Sequence, residues 1–174
     1  MTEEPDIGDL LLGKLSGVAL EKVEPAEVGQ PCRSLLCHEH DMTSTLAAFH
    51  GGEVTLEILN EEREGESYLR EVLLKVKNRP VEYGVIRIFL EFFPEDLGAA
   101  IRAGGRPLGA LLNESGLRYD SRPRGFLRIK RADFHADFFP PGDSKFLFGR
   151  YNELLDQDEN VLARIIEILP TEIL

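Results

Sequence analysis

The spacing of apolar residues changes character along the chain. Up to His50 the pattern is helical. Ile7 to Leu15 carries the cluster Leu10-Leu11-Leu12, Ser34 to Leu36 lies in a second short segment, and Met42 to His50 reads as a third helix. Asp41 is placed to cap that helix, and Gly51-Gly52 to end it. From Glu53 to Asn60 the period drops to two, which puts Val54, Leu56 and Ile58 on one face of a strand. Tyr68 to Val76 and Val81 to Glu91 follow as strands joined by the tight turn Lys77-Asn78-Arg79-Pro80, a hairpin signal.

Pro94 then opens a helix that runs to Ala103 and stops at Gly104-Gly105, and a second short helix begins at Pro107-Leu108-Gly109 and ends near Gly116. Three further strands are expected at Phe126 to Phe139, Phe146 to Leu154 and Val161 to Leu169. Turn-forming residues separate them, at Pro140-Pro141-Gly142-Asp143 and at Asp156 to Asn160. Six strands joined mostly by short turns, with helices before the first and between the third and fourth, predict an α+β fold. Its antiparallel sheet would carry helices and flap loops over one face or end. Neither repeats nor linkers interrupt the pattern, so residues 1–174 read as a single domain of ordinary size.

Composition narrows the function. A formal net charge of -11 argues against nucleic acid as a partner, because that affinity comes from clustered Lys and Arg. An anionic ligand would need a local cationic pocket, which makes individual arginines informative. No apolar run approaches a membrane span, and Met-Thr-Glu-Glu-Pro-Asp is no signal peptide, so the expectation is a cytoplasmic protein without a membrane partner. Cys32 and Cys37 lie beside His38, Glu39 and His40, but this spacing fits no common zinc pattern. Reduced, partly buried thiols are expected, with neither metal nor cofactor.

Strand periodicity forces a few charges onto apolar faces. Arg70 shares its face with Tyr68, Val72, Leu74 and Val76, whereas Glu71 and Lys75 fall on the other side with Leu69 and Leu73. Glu167 shares its face with Val161, Ala163, Ile165 and Leu169. A buried guanidinium keeps its proton and must be paired, and its planar fork suits a carboxylate. Arg70 and Glu167 therefore either pair with each other or line a ligand site. Arg150, on the face of Phe146 and Phe148, poses the same question. Gly84, inside a strongly β-forming strand, marks a bulge or a close approach to the backbone. The glycine-rich loop from Ala103 to Gly109 leads into a helix whose first amides could receive an anion.

The run Tyr68-Leu69-Arg70-Glu71-Val72-Leu73-Leu74, followed by Gly84 and by Pro107-Leu108-Gly109 at the same spacing, resembles the chorismate pyruvate-lyase family and its lyase-like relatives. Asp41-Met42-Thr43 resembles a family segment upstream. Phe148-Gly149-Arg150 and Ile166-Glu167-Ile168-Leu169-Pro170 resemble its closing strands, with an insertion around Arg122 to Pro140. The resemblance implies a six-stranded antiparallel sheet whose flaps close over a small aromatic carboxylate. It also implies roles for single residues. Arg70 would bind the ring carboxylate, Glu167 would be the acid at the ring's hydroxyl end, and Met42, Thr43, Leu69, Gly84, Leu108 and Gly109 would line the cavity, with the Leu108 amide as a donor. The family's reaction is cofactor-free elimination of pyruvate from chorismate to give 4-hydroxybenzoate, with Arg70 and Glu167 as the catalytic pair.

The chain departs from the family at Val85, where the enzyme has an arginine. Arg87, two residues on and on the same face, could substitute. Asp137, before Phe138-Phe139-Pro140, competes with Glu167 as the site acid, and the apolar face of Glu167 favours the latter. The leading expectation is a chorismate-lyase-like enzyme. The alternative is a non-catalytic module of the same fold that binds or senses a hydroxybenzoate-like ligand. No helix-turn-helix precedes the sheet, so such a sensor would act through a protein partner. Oligomeric state is left open.

Overall fold

The computed structural model describes residues 7–134 and 137–170. Seven strands form one antiparallel sheet: β1 (Glu21–Val23), β2 (Val54–Glu64), β3 (Ser67–Val76), β4 (Arg79–Phe89), β5 (Asp120–Lys130), β6 (Phe146–Leu155) and β7 (Val161–Leu169). Their order across the sheet is β1-β5-β6-β7-β4-β3-β2. Four α-helices accompany them among the described residues: α1 (Cys32–Leu36), α2 (Met42–His50), α3 (Glu95–Ala103) and α4 (Leu108–Ser115).

Local chemistry explains most of these boundaries. Asp41 caps α2 by accepting a hydrogen bond from the Ser44 amide at 2.8 Å, and Gly51 ends the helix with φ of 66°. Lys77 and Asn78 take φ of 51° and 63°, the left-handed pair that suits a two-residue connection between β3 and β4.

Three expectations change. The sheet has seven strands rather than six, because the three-residue β1 pairs with β5, Val23 opposite Phe126, and is too short to show a period. The segment from Ile7 to Leu15 forms two 3-10 turns, Gly8–Leu10 and Gly13–Leu15, instead of a helix. The fourth long strand spans Asp120–Lys130, not Phe126 to Phe139. Pro123 is accommodated there by a register shift between Pro123 and Gly125, the usual way a strand tolerates a residue without an amide hydrogen.

Both faces of the sheet are covered. Leu69, Leu73, Tyr83, Val85, Ile166 and Ile168 pack on the second face against Leu10, Leu15, Phe134 and Phe139. The apolar residues beyond Lys130 thus form an aromatic cluster, with Tyr83 edge-on to Phe134 at 5.2 Å and stacked on Phe138 at 5.7 Å. Glu71 is buried on this face, where its Oε2 accepts from the Lys14 amide at 2.7 Å and from the Tyr83 hydroxyl at 2.5 Å.

The first face carries the helices in two clusters. Tyr68, Ile86, Leu97, Leu108, Leu112 and Ala163 form one, and Cys32, Met42, Leu46, Leu74, Val76 and Leu169 the other. Between them α2 and α4 pack together, N-terminus to N-terminus. A β-carbon on Gly109 would lie 2.8 Å from Thr43 Oγ1, which shows how closely the two helix starts approach.

Gly149 marks the tightest point of the sheet, since a β-carbon there would fall 2.3 Å from the backbone oxygen of Glu167. Gly149→Ala must push β6 and β7 apart and is expected to cost about 1–3 kcal/mol. A drop in the thermal midpoint of roughly 2–4 °C per kcal/mol would register it. An unchanged midpoint would contradict this packing.

Candidate ligand-binding site

Gly84 sits at the centre of the helix-covered face, opposite Val72 on β3 and Glu167 on β7. Its missing side chain leaves the floor of a cavity of about 60 Å³. A single water needs roughly 10–15 Å³ by this measure, so the space holds several waters or one compact ligand. The floor and walls are Arg70 and Val72 from β3, Glu82, Gly84 and Ile86 from β4, Asn152 from β6, and Ile165 and Glu167 from β7. The roof is formed by the starts of both helices, Asp41, Met42 and Thr43 from α2 and Pro107, Leu108 and Gly109 from α4. Two helix N-termini over one cavity add positive potential to it.

Arg70 is 1% exposed, and its Nε and Nη1 have no hydrogen-bond partner among the described residues. Its guanidinium lies 5.6 Å from the Tyr68 ring centroid. Burial pulls the group below its ordinary pKa, with Tyr68 and Glu61 working in the other direction. Glu61, directly across the strand pair, accepts instead from the Tyr68 hydroxyl at 2.5 Å.

Glu167 does not pair with Arg70. Arg150, fully buried on the neighbouring strand, bonds Glu167 through its Nε and lies outside the cavity lining. Its remaining nitrogens donate to the carbonyls of His38 at 2.9 Å, His40 at 3.1 Å and Leu36 at 3.4 Å. Arg150 is thus consumed by Glu167 and by the chain segment leading into α2. Arg70 and Glu167 are separated by two inter-strand spacings of about 4.8 Å each, which puts them toward opposite ends of the cavity.

Glu82 is 3% exposed, and its Oε2 is without a partner among the described residues. Burial, and then the nearby Glu167 charge, hold its carboxyl well above the ordinary range, with Arg150 pulling the other way. A carboxyl in this setting is favoured in its neutral form. Asn152 donates to the Ser121 hydroxyl at 2.9 Å, and its Oδ1 has no partner among the described residues.

Of the residues singled out in the sequence, Arg70, Glu167, Met42, Thr43, Leu108, Gly109 and Gly84 line this cavity. Leu69 and Arg87 do not. They face each other across β3 and β4 on the second face, where Leu69 is in the core. Arg87 there bonds Asp9 at 2.9 Å and the Ser67 hydroxyl at 2.6 Å. Strand parity is the reason, since odd-numbered residues of β3 and β4 point away from Arg70. Val85 shares that second face, so neither it nor Arg87 supplies a cation to the cavity. Asp137 lies in an exposed turn outside the lining. Glu82 and Asn152 were not singled out, although Glu82 has the parity of Gly84 and Asn152 that of Arg150, a signal available in the alternation itself.

Cys32 is buried at the start of α1, where its thiol lies 3.8 Å from the Pro170 carbonyl and burial pushes its pKa up to about 11. Cys37 follows α1 and is half-buried. Among the described residues no cluster of three or more His, Cys, Asp or Glu could hold a metal, and no helix is long and apolar enough to cross a membrane.

No family model matches the sequence, and a search of curated proteins returns no match. Solved structures are similar in fold at low identity. PhnF from Mycobacterium smegmatis is 12% identical with a TM-score of 0.53, over 76% of this chain and 64% of that one. The separately solved effector domain of PhnF is 12% identical with a TM-score of 0.54, over 75% of this chain and 88% of that domain. The chain thus spans 64% of the length of the longer PhnF structure. Its antiparallel α+β architecture, the one implied by the resemblance to chorismate lyase, is shared with the effector domain of PhnF.

Proposed function

We propose that this domain is a ligand-binding module for a small aromatic carboxylate, in preference to a chorismate lyase. The observation that carries the reading is Arg70, a buried guanidinium on the wall of the cavity with two nitrogens unpartnered among the described residues. Such a group is costly unless an anion completes it, and a carboxylate matches its fork. The surrounding charges balance, because Glu167 is neutralised by Arg150 and Glu82 is favoured in its neutral form. Arg70 is then the cation of the lining left for a ligand carboxylate, while Asp41 in the roof is held by the Ser44 amide at the start of α2. The helix starts of α2 and α4 supply amides, including that of Leu108, toward the same space.

The fold shared with the PhnF effector domain supports binding over catalysis. Chorismate is a dicarboxylate, and its second carboxylate would have no cation of its own: Arg150 is engaged, Arg87 lies on the other face, and Val85 occupies the enzyme's arginine position.

Purified protein is expected to gain thermal stability with 4-hydroxybenzoate. At a ligand concentration about a hundredfold above Kd the gain is about 2.7 kcal/mol, or roughly 5–10 °C for a domain of this size. Incubation with chorismate is expected to release pyruvate no faster than the spontaneous reaction. Release above that rate would restore the lyase reading. Absence of stabilisation by any benzoate would remove the carboxylate reading.

A further inference from the structure

The cavity carries polar atoms that the carboxylate anchor does not use. Glu82 Oε2 and Asn152 Oδ1 are both buried on lining residues and both unpartnered among the described residues; in register Asn152 is level with Arg70, three strands away, whereas Glu82 lies four residues along the sheet, on the strand next to the Glu167 that Arg150 already holds. A polar group left in this state costs free energy that a complementary ligand recovers. Glu82 is well placed to act, since its Oε1 comes within 3.4 Å of the β-carbon position of Gly84, at the centre of the floor.

We propose that Glu82 is the specificity-determining residue of the site, hydrogen-bonding an uncharged oxygen of a ring monocarboxylate whose charged end is on Arg70. This rests on the carboxylate-binding reading above. The groups facing Glu82 decide its role. On β7 is the Glu167 carboxylate, with Arg150 beside it on β6; on β3, Leu74 lies opposite and Arg70 four residues along; on β2 is Leu56; and Asp41 and Thr43 of α2 share the lining, with Asn152 further off on β6. The α4 residues in the lining carry no side-chain charge. Arg150 is consumed by Glu167, and Arg70, four residues along β3 from the Leu74 that lies opposite Glu82, is the cation that the ligand carboxylate takes. Burial and the Glu167 charge act in the same direction.

The ligand chemistry follows. A hydroxyl para to the carboxylate accepts from the Glu82 O–H and has its own hydrogen to give to Glu167. A second carboxylate at this position would instead face the Glu167 charge without a cation. The site should therefore select hydroxy-monocarboxylates over both the unsubstituted acid and the dicarboxylate.

Three probes and two variants test this by calorimetric titration: 4-hydroxybenzoate, benzoate and benzene-1,4-dicarboxylate against wild type, Glu82→Met and Glu82→Gln. Wild type is expected to bind 4-hydroxybenzoate about three- to tenfold more tightly than benzoate, the worth of one buried hydrogen bond, and the dicarboxylate more weakly than either. Glu82→Met should bring 4-hydroxybenzoate down to the level of benzoate while leaving benzoate unchanged. Glu82→Gln, which keeps a neutral donor, should retain the preference. Melting curves check that the variants fold, and Met in place of a buried neutral carboxyl is close in size. An unchanged preference in Glu82→Met, or dicarboxylate binding as tight as that of 4-hydroxybenzoate, overturns the assignment while leaving the carboxylate reading intact. Failure of wild type to bind any of the three overturns both.

Discussion

Replacing Arg150 with methionine is expected to lower the free energy of unfolding by about 3–5 kcal/mol, seen as a fall in the thermal midpoint on the order of 10 °C. The reason is that the change removes only one partner. Glu167 would stay buried on β7 with its charge uncompensated, and the carbonyls of Leu36, His38 and His40 would lose their donors. Those carbonyls belong to the segment that runs directly into α2, so the helix start over the cavity should loosen as well. Hydrogen exchange of the α2 amides would check this second effect, with faster exchange expected than in wild type. If Arg150→Met unfolds at the wild-type temperature, the Arg150–Glu167 pair is not the structural bond described here.

Arg70→Met is expected to do the opposite to stability and far more to binding. Arg70 has no ion pair to lose among the described residues, and its buried charge costs free energy unless an anion pairs with it. Methionine follows much of the same path through the core without that cost, so the thermal midpoint should hold or rise. Carboxylate binding should weaken by about 2–5 kcal/mol, a loss of roughly thirtyfold to several thousandfold in affinity. Thermal unfolding with and without 4-hydroxybenzoate reads both effects in one experiment. A variant that melts well below wild type without ligand would mean that Arg70 supports the fold rather than a ligand. The two arginines were indistinguishable by burial, at 1% and 0% exposure. Their partners set them apart, and the two variants should separate in opposite directions.

The contrast also shows how far the sequence could be read. Alternation on β3 and β7 was enough to turn Arg70 and Glu167 inward on one face, because the strand period is two and a one-residue slip would expose a whole apolar row. The helix boundaries of α2, α3 and α4 were legible for a similarly local reason: Asp41, Gly51, Gly104 and Gly116 act within one turn of themselves. Two opposed sites for Leu69 and Arg87 were equally visible in that alternation. The resemblance to a family motif drew them toward the cavity, and their odd parity on β3 and β4 places them against Asp9 and the second-face core instead.

Other features depend on residues far apart in the chain. β1 exists only because β5 offers it an edge, with Val23 opposite Phe126. The phenylalanines after Lys130 could have continued a strand, and they pack as an aromatic cluster because the turns at Gly8–Leu10 and Gly13–Leu15 close the second face with them. Choosing a partner for Glu167 was a problem of the same kind. Two buried arginines were available, and the strand order placed Arg150 directly beside it and Arg70 two strands away. Local alternation thus determined which charges of this protein are buried, because facing is a property of a single strand. Only the tertiary structure decided which of them are paired, because pairing depends on the order of strands in the sheet. That order leaves two nitrogens of Arg70, on the cavity wall, without a hydrogen-bond partner among the described residues.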